Sequence, residues 1–161
     1  MRYEELADAP CSITRPLVVF GDRWTLLVLN NCFSGVRRFN AFHSALGISR
    51  NRLQDRLDRL IEHDILVKRK AALGAHEEYR LTPKGHDLYP ILLAIRDWDD
   101  AHMAPDGAPV RYRHRDCVGE AHVRLECDSC GRELTAGEVA PEPGPGLPDS
   151  SGVAASAETG R

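Results

Sequence analysis

The sequence predicts a mainly α fold carrying one small β-hairpin, an α+β arrangement, on three observations. Apolar residues recur at helical spacing in four stretches between Ile13 and Trp98, and only residues 65–81 alternate instead, around a centre containing Gly74. At 161 residues and 42% hydrophobic content the chain can bury one modest core and carry appendages. No apolar run approaches the ~20 residues of a membrane span. The start, MRYEELADAP, lacks the basic residues and apolar stretch of a secretory signal, so the expected location is the cytoplasm, with no membrane partner.

From Cys11 to Phe33, Ile13, Leu17, Val18, Phe20, Trp24, Leu26, Leu27, Leu29 and Phe33 suggest two packed helices. Gly21-Asp22 breaks them, with Asp22 placed to cap the second. Phe39, Phe42, Leu46 and Ile48 predict a short helix over 37–45 that stops at Gly47. Ser49 then opens a helix whose Leu53, Leu57, Leu60 and Ile61 form a single apolar stripe. Opposite that stripe, at 100° per residue, lie Asn51, Arg52, Asp55, Asp58 and Arg59, with Arg50 and Arg56 on the flanks. The next segment, ILVKRKAALGAHEEYRLT, predicts a hairpin with Ile65, Val67, Tyr79 and Leu81 flanking an exposed tip. Thr82 caps a last helix with Pro83 at its first position, along which Leu88, Ile91, Leu92, Ile95 and Trp98 run. So much apolar surface on a terminal helix needs a partner.

Charge is unevenly spread. Residues 35–70 hold nine Lys/Arg against four Asp/Glu, a local excess of five positive charges in a chain whose formal net charge is -3. A basic zone on an acidic protein suggests a surface that meets a polyanion; an ordinary solvated helix face is the alternative. Two helices joined at LGIS, the second basic from its first turns, make a helix-turn-helix pattern able to place Arg, Asn and Gln against base edges and phosphates in a major groove. The candidate contacts are Arg37, Arg38, Ser49, Arg50, Asn51, Arg52, Asp55, Arg56 and Arg59. Asp55 and Asp58 would repel phosphate unless paired with arginine or reading cytosine. A basic hairpin directly after such a helix is a wing, and Lys68, Arg69, Lys70 and His76 would reach the backbone or minor groove, although edge lysines also protect against aggregation.

From Cys11 to His102 the chain resembles the HxlR-type winged helix-turn-helix transcription regulators. The resemblance lies in CSITRPLVVFGDRWTLLVL, GVRRFNAFHSALGISRNRLQDRLDRLIEHDIL and EYRLTPKGHDLYPILLAIRDW, which in this order cover more than half the chain. It implies a winged helix-turn-helix spanning 1–104, with residues 49–60 as the recognition helix. It also implies a homodimer built by the N-terminal helix, which carries Leu17, and by Ile91, Leu92, Ile95 and Trp98 of the last helix. The partner it implies is double-stranded operator DNA. Cys11 stands where several members carry a cysteine that senses electrophiles or oxidants. Arg15 one turn on supports a lowered thiol pKa, a buried structural cysteine is the alternative, and Pro10 precedes this cysteine where the family often has proline after it. Cys32, among apolar residues, is expected in the core.

Five cysteines (Cys11, Cys32, Cys117, Cys127, Cys130) without an export signal argue against a disulfide framework. Residues 105–140 form a cysteine-rich extension in which His114-x2-Cys117 is followed by Cys127-x2-Cys130 and Gly131. Two pairs at that spacing can converge on one structural zinc, with His122 competing for the fourth place. Reduced cysteines in a flexible tail and a redox-active CxxC are the alternatives. Residues 141–161, rich in Pro, Gly, Ser and Ala, are expected to be disordered.

The functional reading is therefore a sequence-specific dimeric regulator, a repressor, answering to an oxidant, electrophile or small ligand. An interaction adaptor on the same fold and a zinc-dependent enzyme on Cys117, Cys127 and Cys130 are the competing classes. The enzyme is the weaker, because no carboxylate-histidine pair or glycine-rich phosphate loop accompanies the cysteines.

Overall fold

The computed structural model describes residues 9–71 and 76–147. Its elements are α1 (Thr14–Phe20), α2 (Arg23–Phe33), α3 (Phe39–Leu46), α4 (Arg50–Glu62), β1 (Leu66–Lys70), β2 (Glu77–Leu81), the single turn α5 (Pro83–His86) and α6 (Tyr89–His102). Strands β1 and β2 pair antiparallel, with Leu66 opposite Leu81 and Lys70 opposite Glu77. The hairpin tip at 72–75, with Gly74, and residues 148–161 of the expected tail lie outside the described residues. Among the described residues no helix is long and apolar enough to cross a membrane.

Local chemistry sets the boundaries. The Asp22 carboxylate accepts from the amides of Trp24 and Thr25 and so caps α2. Gly47, at φ 63°, takes the left-handed position that ends α3, and the Ser49 hydroxyl accepts from the Arg52 amide to open α4. Helix α3 starts two residues later than its apolar spacing suggests, because Arg38 is extended (φ -107°, ψ 140°) and serves as its N-cap. At the other end of α4, Asp64 adopts φ 56°, and the Ile65 amide reaches back to the Leu60 carbonyl. Thr82 and Lys84 latch this turn by donating to the carbonyls of Asp64 and His63 at 2.6 and 2.8 Å.

The expected continuous helix after Thr82 is two helices. Thr82 does cap a helix that begins at Pro83, but this stops after one turn and α6 begins at Tyr89. Pro90 explains the break: it has no N–H to donate to the His86 carbonyl one turn earlier, and its ring would collide with that carbonyl in a continuous helix. At the start of α6 the same proline is harmless.

The apolar stripe of α4 (Leu53, Leu57, Leu60) is fully buried with Val28 and Leu29 of α2, Phe42 of α3, and Ile48, Ile65, Leu66 and Tyr79. Tyr79 meets Phe42 edge-on at 6.2 Å, fixing the hairpin against α3. Phe33 contacts Tyr89 at 4.7 Å, fixing α6 against α2. Leu92, expected at an interface between chains, packs instead against this core; the exposed stripe of α6 is Ile91, Ile95 and Trp98. Spacing i, i+4, i+7 gathers those three on one face, while Leu92 is turned 100° toward the core.

Beyond α6 the chain makes two pinched loops, closed by bridges between Arg113 and Glu120 and between Glu126 and Glu133, and a 3-10 turn at Ala136–Glu138. The chain between the loops is held to α6. Arg96 donates to the Ala121 carbonyl at 2.6 Å and lies over the Tyr112 ring, while Asp97 accepts from the Val123 amide and from His122 Nδ1. Burial opposes the Asp97 charge, but Arg96, the Val123 amide and His122 outweigh it and hold the carboxyl down at about 2.

Asp22 also accepts from the Thr25 hydroxyl and pairs with Arg56 of α4 at 3.1 Å. Partial burial works against its ionised form, yet Thr25, Arg56 and the Trp24 amide together leave its pKa below the ordinary 3.8. Asp22→Ala should destabilise the fold by about 1–3 kcal/mol in urea unfolding, through loss of a cap and stranding of Arg56. Because the folded carboxyl titrates below its unfolded value, its contribution is complete above that unfolded value and lost as pH falls through the folded one. The stability gap between wild type and Asp22→Asn, large at pH 7, should therefore close in strong acid.

Candidate nucleic-acid interface

One concave surface, a cleft of about 760 Å3, opens between the start of α3, the first turns of α4 and the hairpin. It gathers Arg38, Arg50, Asn51, Lys68 and His76, five of the residues expected to meet DNA, from segments that are 38 positions apart at the extremes. Each is exposed. Arg50 is oriented from two sides: its guanidinium lies 4.8 Å over the Phe39 ring and donates to the Asn40 side-chain oxygen at 3.3 Å. Lys68 lies 5.5 Å over the Tyr79 ring. The Tyr79 amide in turn donates to the Arg37 carbonyl at 2.8 Å, joining the hairpin to the approach of α3. The cleft is cationic, with Glu77 its acidic member.

The arginines of α4 divide into two sets. Arg50 and Arg52 are exposed on the first turn, where Asn51 is also open and the Ser49 hydroxyl is used as the cap. Asp55 and Asp58 are exposed beyond them, and Gln54 donates to Asp58 at 2.8 Å. Arg56 and Arg59, expected among the DNA contacts, turn the other way. Arg56 pairs with Asp22, and Arg59 donates to the Val18 carbonyl at 3.4 Å. The reason is electrostatic: that flank of α4 faces the corner between α1 and α2, where a carboxylate and a helix-terminal carbonyl offer acceptors to cations.

On the hairpin, side chains alternate across the two faces. Lys68 faces the cleft, whereas Arg69 lines a depression on the other side with Asp64 and Arg80. Lys70 is exposed opposite Glu77. Arg37 is exposed but lines a different depression, with Cys32 and His86. Asn40 and Gln54 also line the cleft; Asn40 carries no charge to mark it, and Gln54 is the glutamine of the helix expected to offer side-chain amides to base edges.

The cysteines also separate. Cys11 is exposed just before α1, and hydrogen bonding from Thr14, assisted by the Ile13 amide and by Arg15, lowers its thiol pKa. Cys32 packs against the core, where burial pushes its thiol up to about 12. In the extension His114 meets Cys117, with Nδ1 to Sγ at 3.2 Å, while Cys127 and Cys130 lie together in the second loop. Among the described residues no three of His, Cys, Asp and Glu gather closely enough to hold a metal ion.

Residues 19–107 match the HxlR-like helix-turn-helix family. The chain belongs to that family. It is 42% identical over 138 residues to an uncharacterized HTH-type transcriptional regulator of Mycobacterium tuberculosis, covering 84% of this chain and 87% of the relative. The crystal structure of PA1607, a proposed transcription factor, superposes with a TM-score of 0.79 at 37% identity, over 86% of this chain and 98% of PA1607. The redox regulator HypR in its reduced form superposes with a TM-score of 0.52 at 26% identity, over 56% of this chain and 92% of HypR. The chain is therefore a DNA-binding transcriptional regulator of the winged helix-turn-helix fold, and the enzyme alternative falls away with its family.

Iodoacetamide at neutral pH should label Cys11 at least about tenfold faster than Cys32 in the folded protein, because thiolate fraction and access both favour Cys11. Peptide mass spectrometry of a time course reads both sites, and denaturation should abolish the difference.

Proposed function

We propose that the protein is a dimeric, sequence-specific repressor in which each subunit sets the N-terminal turns of α4 into a major groove of operator DNA. The cleft carries this reading, because it joins Arg38, Arg50, Asn51, Lys68 and His76 on one face. Asn51 and Arg50 are placed for base edges, Arg38 and Arg52 for phosphate, and Lys68 and Lys70 for the flanking backbone or minor groove. An interaction adaptor would have no use for this arrangement of cations and amides.

The second copy would sit on the exposed apolar stripe of α6, Ile91, Ile95 and Trp98, which are 42%, 49% and 58% exposed, together with Leu17 of α1 at 41%. A two-fold dimer places two α4 helices on one face of the duplex and makes the operator a near-palindrome. Ile95→Glu should convert the dimer to a monomer in sedimentation and weaken operator binding with it.

The signal would enter at Cys11, which is exposed, has a lowered pKa and adjoins α1. The redox regulator HypR shares the fold. Oxidation or alkylation there would shift α1 and the spacing of the two recognition helices, releasing DNA. An apolar cavity of about 410 Å3 between α1 and α6, lined by Val19, Phe20, Ile65 and Leu88 and rimmed by Arg15 and Lys84, offers a second entry for a small-molecule effector. Repression proceeds in the cytoplasm by occupying a promoter.

Binding of the reduced protein to its own upstream DNA, read by fluorescence anisotropy against salt and scrambled sequence, tests the assignment. Arg50→Ala should cost about 1–3 kcal/mol of operator affinity and leave unfolding unchanged. Arg56→Ala should lower stability by about 1–3 kcal/mol and, through the loosened orientation of α4, cost less operator affinity than Arg50→Ala does. Cys11→Ser should bind as wild type does and lose the oxidant response; an unaltered response in this variant removes Cys11 as the sensor.

A further inference from the structure

Where α1, the turn after α4 and the start of α6 meet, apolar side chains stand uncovered beside basic ones. The cavity there, about 410 Å3, is lined by Val19 and Phe20 of α1, Ile65 ahead of β1, and Leu88 and Ile91 at the start of α6. Its volume falls in the range of small-molecule sites, roughly 300–1,000 Å3. Val19, Phe20 and Leu88 pack against the core yet are only half-buried, which leaves apolar surface that a small body can cover. Arg15, His63 and Lys84 complete the lining with Ser12 and Pro16, and no carboxylate is among them. Glu62 and Asp64 flank His63 in the chain but stand outside; Asp64 lines the depression that holds Arg69 and Arg80. Lys84 spends one of its three N–H donors on the His63 carbonyl at 2.8 Å. The Arg15 guanidinium makes no hydrogen bond or ion pair among the described residues, and Cys11, which its charge reaches, does not line the cavity.

We propose that this cavity binds an apolar acid, a small aromatic or alkyl carboxylate whose hydrocarbon body packs on Val19, Phe20, Ile65 and Leu88 while its carboxylate meets Arg15 at the rim. The inference rests on the effector reading of the same cavity and narrows it to one chemical class. A guanidinium offers a carboxylate two parallel N–H donors, a match that a neutral hydroxyl cannot make. A cationic ligand would meet three basic side chains and find no carboxylate to pair with. The apolar body therefore supplies most of the affinity and the rim supplies the selection. Ile91 also belongs to the stripe assigned to the second copy, so the bound acid would touch both α1 and α6 beside that interface. A side chain of the second copy is the competing occupant. The stripe of Leu17, Ile91, Ile95 and Trp98 is apolar and brings no carboxylate to Arg15.

The test is a titration of the full reduced chain with naphthoate in the absence of DNA, read by calorimetry and by heteronuclear amide NMR. Saturation at one site per chain is expected, with a dissociation constant on the order of 0.1 mM for so small a probe, and with shift changes at Val19, Phe20, Ile65 and Leu88. Naphthylmethanol, the same ring system without the charge, should bind at least about tenfold more weakly. Arg15→Gln should bring naphthoate down to the level of naphthylmethanol while the far-ultraviolet circular dichroism stays that of the wild type. Val19→Trp should fill the cavity and abolish binding of both probes; if that variant does not fold, the Arg15→Gln comparison decides alone. Equal binding of acid and alcohol, an Arg15→Gln variant with unaltered affinity, or shift changes confined to other residues would overturn the assignment. So would naphthoate binding seen only in monomeric Ile95→Glu, which would mean that the second copy fills the cavity. Because no DNA enters the titration, a chain that binds naphthoate but no operator refutes the repressor reading and leaves the site standing. Operator affinity unmoved by bound naphthoate would remove the effector role alone.

Discussion

The arrangement of this regulator depends on one carboxylate. Asp22 caps α2 through two amides, binds the hydroxyl of fully buried Thr25 and pairs with Arg56 of α4. These contacts hold the corner between α1 and α2 against the flank of the helix whose other side lies open at the cleft. A cap alone contributes about 1 kcal/mol and an exposed ion pair less. The partners here are about one-quarter exposed, and they fix an orientation rather than only a stability: the roll of α4 decides whether Arg50 and Asn51 face outward.

From that constraint follows a division of labour among like residues. Arg56 and Arg59 satisfy acceptors of the scaffold, while Arg50 is left to be aimed by an aromatic face and an amide oxygen. The hairpin repeats the pattern, since Lys68 faces the cleft and Arg69 faces away. A protein of net charge -3 can therefore present a cationic surface to a polyanion, provided its cations are concentrated by geometry. Asp55 and Asp58, exposed on α4 beyond those cations, carry charge of the opposite sign.

Periodicity and capping chemistry made most of the scaffold legible in the sequence. Asp22, Gly47, Ser49 and Thr82 stand at element boundaries because each supplies a local hydrogen bond or backbone angle that needs no tertiary information. The stripe of α4 likewise announces its buried face. The apolar spacing runs straight through Pro90 and hides the break, although the missing N–H is as local a signal as any cap. The fates of Arg56 and Arg59 could not be read locally. Their partners lie 34 and 41 positions away, and a helical wheel places Arg59 on the polar face and Arg56 at its flank. Asn40 carries no charge to mark it as a cleft residue, and Leu92 parts from Ile91 because one residue turns a helix face by 100°.

If one set of α4 arginines serves the scaffold and another meets DNA, a crystal structure of the proposed dimer on its operator will separate them. Arg50 and Asn51 should lie within hydrogen-bond distance of base edges, with Arg56 still on Asp22 near its present 3.1 Å. Arg56 released from Asp22 onto a phosphate, with Arg50 left on Asn40 and Phe39, would contradict that division.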